Sequence, residues 1–264
     1  MTPPPAVHLG ALRPALQWLA GWWQVIHLGA VMGVLALSAS GRRQAWGSGL
    51  AGQVYRASGP MLAGFTIATA VLSLVVIRIA IVTAQSYGLS QYALEMVVRV
   101  LVLELIPLAA ALFGALNATL PMADEVASLR RRGQFQALQQ QGLDPLAMLV
   151  LPRLLAGLFA VLLLAALSCA VTLVLAYLSA HGFSLGGFDR YTRTVGRVFS
   201  PSVTLIFCGK VFLLGSAVAW IPLVTVLQNP AGRRTRASAE LQGLVRLFLV
   251  VLAIESAALV GNYY

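Results

Sequence analysis

Five long runs of apolar residues dominate the sequence, at about residues 61–84, 96–120, 150–179, 201–222 and 242–261. A helix rises about 1.5 Å per residue, so about 20 apolar residues cross the hydrocarbon core of a bilayer. Each run therefore predicts a transmembrane helix. The composition agrees, because 10% charged residues is far below the quarter that is typical of soluble globular domains. The chain is predicted to be an all-α integral membrane protein.

A sixth apolar stretch, residues 12–38, has a different character because polar and indole side chains crowd its first half. Tryptophan concentrates at the boundary between membrane and water, so a helix lying in the interface competes with a full span. We expect residues 1–60 to form an N-terminal interfacial helix and a cytoplasmic linker, and residues 61–264 to form a five-span domain. The side chains in question are Trp18, Trp22, Trp23, Gln24 and His27.

Arginines set the expected orientation, since segments rich in Lys and Arg stay in the cytoplasm. Three such segments alternate with the spans, which places the C-terminus outside. Residues 180–200 must then lie outside despite their own arginines, and we expect a short external helix at about residues 183–198. The cytoplasmic set is Arg42, Arg43 and Arg56, then Arg130, Arg131, Arg132 and Arg153, then Arg233, Arg234, Arg236 and Arg246; the external set is Arg190, Arg193 and Arg197, against Asp189.

The other function classes find little support in the residues. The net charge of +10 comes from arginines between apolar runs, not from a basic face interleaved with aromatics, so nucleic-acid binding is not expected. Cys169 and Cys208 both lie inside apolar runs, which argues against a disulfide or a zinc site. The segment "CGKV" around Lys210 lacks the first Gly and the final Ser or Thr of a phosphate-binding loop. We therefore expect no enzyme activity, metal or nucleotide site on this chain.

Between the second and third spans, the predicted cytoplasmic segment has the features of a surface helix. Residues from Val126 to Gln141 favour a helix, and Gly142 can end it in a left-handed cap. Asp144 followed by Pro145 reads as an N-cap and first-turn proline that open the next helix. A helix held this tightly between two spans can pass motion from a soluble partner into the membrane.

Charged residues inside the spans are costly, at about 2.5–3.5 kcal/mol each on insertion scales, so each needs a partner or a function. Lys210, the one lysine of the chain, lies about 14 Å from either end of its run, farther than a side chain can snorkel. Glu104, three residues before Pro107, is its expected counter-ion. Glu255 lies nearer the outer end of its run, where an interface-facing acid is the alternative. Arg78 fits a structural or a functional role, and Arg99 is expected to pair with Glu95 at the outer surface.

The residues from Leu103 to Gly157, "LELIPLAAALFGALNATLPMADEVASLRRRGQFQALQQQGLDPLAMLVLPRLLAG", resemble the MlaE/YrbE-type permeases of bacterial MCE lipid-transport systems. The shared pattern is an R-E-L-G-P-V-like segment, an A-E-I-like turn, an E-Q-L-x-A-L-like coupling helix, a G-x-D-P-like end and a P-R-x-x-A-G-like start. The likeness runs in register from about Gln53 to the C-terminus. Before that point it is compositional, where the family has an interfacial elbow helix.

The resemblance implies an ABC-transporter permease of the bacterial inner membrane, with an elbow helix, five spans and a cytoplasmic coupling helix at about residues 124–144. It implies a second permease copy or a related chain, an ATPase subunit that supplies ATP and Mg²⁺ chemistry, a periplasmic MCE-domain partner and a phospholipid substrate. The family's buried charges fall on Glu104, Lys210 and Glu255, where an Asp is usual at the last. The coupling segment falls on Arg132, Gln134, Phe135, Ala137, Leu138, Gly142, Asp144 and Pro145.

Three positions depart from the family pattern. Leu103 stands in place of an arginine, Ile106 in place of a glycine, and Gly133 in place of the first glutamate of the coupling helix. A divergent subfamily or one half of a heteromeric permease explains these changes. Two other functions remain open from the residues: an ion- or proton-coupled secondary transporter, which also uses intramembrane Glu and Lys, and a membrane scaffold without transport activity.

Overall fold

The computed structural model of the chain describes residues 22–23, 26–38, 49–228 and 236–263. Five of its helices are long and apolar enough to cross a membrane, which confirms the five predicted spans. The helices are α1 (Ile26–Leu37), α2 (Leu50–Ser86), α3 (Tyr92–Arg131), α4 (Gln134–Gln140), α5 (Leu146–His181), α6 (Phe188–Val198), α7 (Pro201–Gln228) and α8 (Arg236–Tyr263).

The first spanning helix begins earlier than its apolar run. Residues 50–60 are the opening turns of α2 and not a linker, and Pro60 lies inside the helix. Ala57 packs there with Ala118 of α3 and with Ala156 and Ala160 of α5. Small side chains let membrane helices approach closely, so this contact continues α2 beyond the run that hydropathy alone marks.

The helix α5 lies at the centre of the packing. Gly157 faces α3 and α7 so closely that a Cβ atom there would lie 2.9 Å from Thr119 Cγ2 and 3.3 Å from Ala219 Cβ. Nearer the end of the bundle opposite α4, the Ser73 and Thr172 hydroxyls join α2 to α5 by a buried hydrogen bond of 2.9 Å. Close backbone approach and a polar contact between helices are typical of membrane bundles.

The N-terminal helix α1 is an apolar helix of 12 described residues. It packs on the bundle through Met32 and through Gly29, whose Cα faces the Trp220 ring of α7 closely enough that a Cβ would be 3.2 Å away. Trp23 and Leu37 stay exposed. The predicted elbow residues Trp18 and Gln24, and the arginines at positions 42, 43, 233 and 234, lie outside the described residues.

The coupling segment is two helices where the sequence predicts one. The helix α3 continues to Arg131, the chain turns at Gly133 with a left-handed φ of 75°, and α4 then runs over seven residues. Local propensity favours helix throughout, but a glycine without a Cβ atom lets the backbone leave the helix at little steric cost. The far end matches its prediction: Gly142 has a φ of 73°, and the Asp144 carboxylate accepts a hydrogen bond of 2.9 Å from the Leu146 amide.

Between α5 and α7, the short helix α6 lies at the opposite end of the bundle from α4. Its inner face is anchored by Val198, which is fully buried, and by the Tyr191 hydroxyl, which donates a 2.7 Å hydrogen bond to the Leu173 carbonyl of α5. Burial raises the pKa of Tyr191 to about 12. A short helix, as expected at about residues 183–198, is present as a 3₁₀ turn, Leu185–Gly187, followed by α6.

Candidate functional site

Three charged side chains from three spanning helices meet inside the bundle. Lys210 of α7, 3% exposed, forms an ion pair with Glu104 of α3 and donates a second hydrogen bond of 2.8 Å to Glu255 Oε1 of α8. The predicted pairing of Lys210 with Glu104 is confirmed. Glu255 turns inward to the same ammonium, so its alternative as an interface-facing acid is wrong. These residues are called the charge cluster below.

The third hydrogen of the ammonium reaches a main-chain group. Lys210 Nζ lies 3.1 Å from the carbonyl oxygen of Leu103. In an α-helix that oxygen accepts from the amide four residues later, which here is Pro107 and has no N–H. Pro107 therefore leaves a carbonyl available, and Lys210 uses it, so all three ammonium donors have acceptors.

The neighbouring carbonyl is free for a related reason. The helix α3 has wide turns with i to i+5 hydrogen bonds over Val98–Leu105, and the Ile106 amide donates to the Leu101 oxygen. The Val102 oxygen thus loses its usual donor, and Pro107 cannot supply one. The Cys169 thiol of α5 lies 3.6 Å away and donates to it. Wide turns of this kind are often found at functional sites.

The charge cluster carries one negative charge in excess when both carboxylates are ionised, since one ammonium faces two acids. Glu104 Oε1 receives a weak hydrogen bond of 3.4 Å from Asn262 Nδ2. Glu255 Oε2 is buried without a hydrogen-bond partner in the described part of the chain. An unused carboxylate oxygen at this depth is unusual, and it is available to a proton or to a donor on a ligand.

The remaining intramembrane charges lie apart from the charge cluster. Arg78 is on the exposed face of α2, among Val75, Ile79 and Val82, and it forms no ion pair within the described ranges. Arg99 pairs with Glu95 at 3.0 Å across one turn of α3, and both side chains are about one-third exposed. The predicted structural pair is thus confirmed, while Arg78 does not join the other three residues.

The predicted coupling residues surround α4 at the other end of the bundle. Phe135 packs on a cluster formed by α1, α3, α5 and α7, and Leu138 is half-buried. Pro145 is buried at the start of α5. Exposed positions are available to a partner, namely Arg132, Gln134, Ala137, Gly142 and Asp144.

Two contacts that hold this end together were missed by the sequence reasoning. Arg153 of α5, 9% exposed, donates to both oxygens of Glu125 in α3 at 3.0 and 3.3 Å, and to the Leu149 carbonyl at 2.6 Å. Arg130 donates to the Leu227 carbonyl of α7 at 2.6 Å. The signal for the first pair is present in the sequence, because its members stand in the A-E-I-like and P-R-x-x-A-G-like motifs on either side of α4.

A cavity of about 1200 Å³ opens beside α4, away from the charge cluster. Its walls come from α1, the end of α3, α4, the start of α5 and the end of α7, and they include Trp23, Arg131, Gln136, Asp144 and Gln228. The cavity lies between α4, which we expect to contact a partner, and the ends of α3 and α7, two of the helices that carry the charge cluster.

Comparison with known proteins places the chain in a family. The family model described as Permease MlaE matches residues 28–260, nearly the whole chain, including α3, α4 and the charge cluster. None of the curated proteins with which the sequence was compared matches it significantly. With its five spanning helices, the chain is a multi-pass membrane protein. It belongs to the MlaE permease family, the membrane permeases of lipid-transport systems.

Proposed function

We propose that this chain is the permease subunit of an ABC transporter that moves phospholipid between the inner and outer membranes of a bacterium. In this proposal a separate ATPase subunit binds ATP and Mg²⁺, and a periplasmic MCE-domain protein passes the lipid on. Two copies of the permease, or this chain and a related one, enclose the lipid path. The observation that carries the proposal is the charge cluster, which is buried in apolar surroundings and joins α3, α7 and α8.

The proposed role of Lys210 is to exchange one of its carboxylate partners for the phosphate of a bound lipid. In the empty state, its ammonium is held by Glu104, Glu255 and the Leu103 carbonyl. A buried charge is costly without a partner, so a lipid phosphate that displaces the Glu255 carboxylate keeps the ammonium paired throughout. Glu104, which has a further contact to Asn262, stays as the fixed counter-ion.

In this proposal, ATP-driven motion of the ATPase subunit reaches the helix bundle through α4. Its flanking glycines, Gly133 and Gly142, both have left-handed backbones and allow α4 to tilt as a unit. The Glu125–Arg153 pair and the Arg130–Leu227 hydrogen bond tie the surrounding helix ends together. ATP-driven movement of a subunit docked on α4 would thus shift α3, α5 and α7, and with them Glu104 and Lys210.

The test is reconstitution of lipid transfer. The chain is purified with its ATPase partner in proteoliposomes, and ATP-dependent transfer of a labelled phospholipid to acceptor vesicles is measured. The variant Lys210→Met with Glu104→Gln and Glu255→Gln removes all three charges while keeping side-chain size. We expect assembly to persist and transfer to stop. The control is Cys208→Ser, an exposed position on the same helix, which should transfer lipid normally.

A proton-coupled secondary transporter is the second candidate. Glu255 Oε2, which has no hydrogen-bond partner among the described residues, favours it, because that oxygen is available for protonation. The two functions separate in the same vesicles. Transfer that needs ATP and stops with vanadate supports the ABC permease, whereas transport by the chain alone that follows a proton gradient and ignores vanadate would replace it.

A further inference from the structure

A second cavity, of about 750 Å³, lies at the end of the bundle opposite α4, which the positive-inside rule predicts to face outwards and where that rule disfavours arginine. The outer ends of α2, α3 and α5 form its apolar floor with Ile81, Ala93 and Ala180. One face of α6 forms its rim. This cavity plays no part in the function proposed above, and we refer to it as the outer cavity.

Three arginines of α6 line the outer cavity. Arg190, Arg193 and Arg197 follow one another at three and four residues, so they share one face of the helix. All three are exposed, and none forms an ion pair with a described residue. Among the described residues of the cavity wall, Asp189 is the one acid, so these side chains carry an excess of two positive charges.

The neighbouring surface indicates contact with the membrane. Phe183 and Phe188, which flank the 3₁₀ turn before α6, are 94% and 54% exposed. Exposed aromatic rings beside arginines on an amphipathic helix are typical of segments that lie at the level of lipid headgroups. Tyr191, which also lines the cavity, holds α6 to α5 by its hydrogen bond to the Leu173 carbonyl, so the arginine face keeps a fixed orientation over the cavity.

We propose that the outer cavity binds the phosphate of an anionic phospholipid headgroup in the outer leaflet. The guanidinium fork is matched to phosphate oxygens, and three such groups around a concave site surround one phosphate more closely than a flat protein surface could. The apolar floor accepts the first methylene groups of the acyl chains of the same lipid. The site does not require ATP-driven transport, so its test and that of the proposed function succeed or fail separately.

The test uses a fluorescent reporter beside the site. The substitution Phe183→Trp changes a side chain that is almost fully exposed, and the other tryptophans occur at positions 18, 22, 23, 46 and 220, so the parent protein gives the background. The full-length chain is reconstituted in phosphatidylcholine vesicles containing brominated phosphatidylglycerol or brominated phosphatidylcholine. Stronger quenching of the reporter by the anionic lipid is expected.

Removal of the arginines should abolish that preference. In the reporter protein, Arg190→Gln with Arg193→Gln and Arg197→Gln should lower the preference for the anionic lipid by at least about fivefold. The corresponding lysine substitutions should retain part of it. The matched control, Arg42→Gln with Arg43→Gln and Arg56→Gln, removes the same charge at the predicted cytoplasmic end and should leave the preference unchanged. The single variant Arg193→Glu, which should also lower it, serves if the triple variant does not elute as a folded protein.

Several results would overturn the proposal. Equal quenching by the two brominated lipids, or a preference that survives the glutamine substitutions, shows that the outer cavity does not bind headgroups. Equal quenching by the two lipids, together with binding of inorganic phosphate that the glutamine substitutions abolish, shows that the ligand is free phosphate. If the glutamine variant loses binding of an acidic outer partner protein and keeps its lipid preference, the arginines form a protein interface instead.

Discussion

Lys210 of α7 donates a hydrogen bond of 3.1 Å to the carbonyl oxygen of Leu103 in α3, a main-chain group of a neighbouring spanning helix. That oxygen is available because Pro107 has no amide hydrogen to offer it. A proline in one helix thereby helps to determine where an ammonium on another helix rests. The charge cluster depends on backbone irregularity in α3 as well as on attraction between opposite charges.

The first prediction concerns this coupling between Pro107 and Lys210. Pro107→Ala restores an amide that can donate to the Leu103 oxygen or to the Val102 oxygen beside it, so its effect on stability should depend on whether Lys210 is present. In a double-mutant cycle with Lys210→Met, unfolding free energies in mixed micelles should show a coupling of about 0.5–3 kcal/mol. Pro60→Ala, a proline change in α2, should be additive with Lys210→Met. Additivity at Pro107 as well would contradict the arrangement.

The second prediction concerns the excess acid of the charge cluster. Lys210→Met leaves two carboxylates facing each other without a cation, and should lower the free energy of unfolding by about 3–5 kcal/mol. Adding Glu104→Gln and Glu255→Gln should recover most of that loss, because neutral amides can hydrogen-bond each other. Thermal unfolding of the three proteins in the same detergent provides the comparison. If Lys210→Met is as stable as the triple variant, the two buried carboxylates do not need Lys210 as a counter-ion.

The third prediction concerns the end of the bundle that carries α4. Arg153→Met removes the hydrogen bonds to Glu125 and to Leu149, and should cost about 1.5–3 kcal/mol, as charged hydrogen bonds do. In the assembled complex we expect ATP hydrolysis to continue while lipid transfer per ATP falls, because α3 and α5 no longer move together. Both rates are measured in the same proteoliposomes. An unchanged ratio of transfer to hydrolysis would argue against a coupling role.

The fourth prediction concerns close packing of α5. Gly157→Ala places a methyl group 2.9 Å from Thr119 Cγ2, inside van der Waals contact, and overpacking of this kind costs about 1–3 kcal/mol. Gly64→Ala in α2 adds a Cβ with nothing within 4 Å and should be neutral or slightly stabilising. Unfolding midpoints of the two variants test the difference. Equal midpoints would mean that the helices separate at no cost.

The fifth prediction concerns the corner between α3 and α4. Gly133→Ala forces a residue with a side chain into a left-handed backbone, at about 1–2 kcal/mol, while Gly52→Ala in the regular part of α2 should stabilise by about 0.5–1 kcal/mol. Gly133→Glu, the residue typical of the family, should carry the same backbone penalty. Affinity for the ATPase partner, measured for all three variants, shows whether the corner or the missing acid matters more. If Gly133→Glu binds the ATPase partner more tightly and loses no stability, the corner between α3 and α4 does not require a glycine.

The sequence was sufficient to predict much of the architecture because hydropathy and capping act locally. The lengths of the apolar runs predicted five spans, and Gly142 together with Asp144 predicted the boundary between α4 and α5. The distance of Lys210 from either end of its apolar run predicted an ionic partner, and the position of Glu104, three residues before Pro107, made it the expected one. The limits of local reasoning are equally specific. Helix propensity predicted one continuous helix through Gly133, where the structure has the corner between α3 and α4. Hydropathy placed the start of α2 about eleven residues too late.

What the sequence by itself determined is the number of membrane helices, the presence of costly charges within them and the position of the short helix α4 between two of the spans. These follow from transfer energies and backbone preferences that each segment carries alone. The tertiary structure decided which charges meet. Glu255 turns towards Lys210 and Arg78 faces outwards, because helix packing sets which face of each helix lies inside, and a buried ammonium takes whichever acceptors that packing brings within reach.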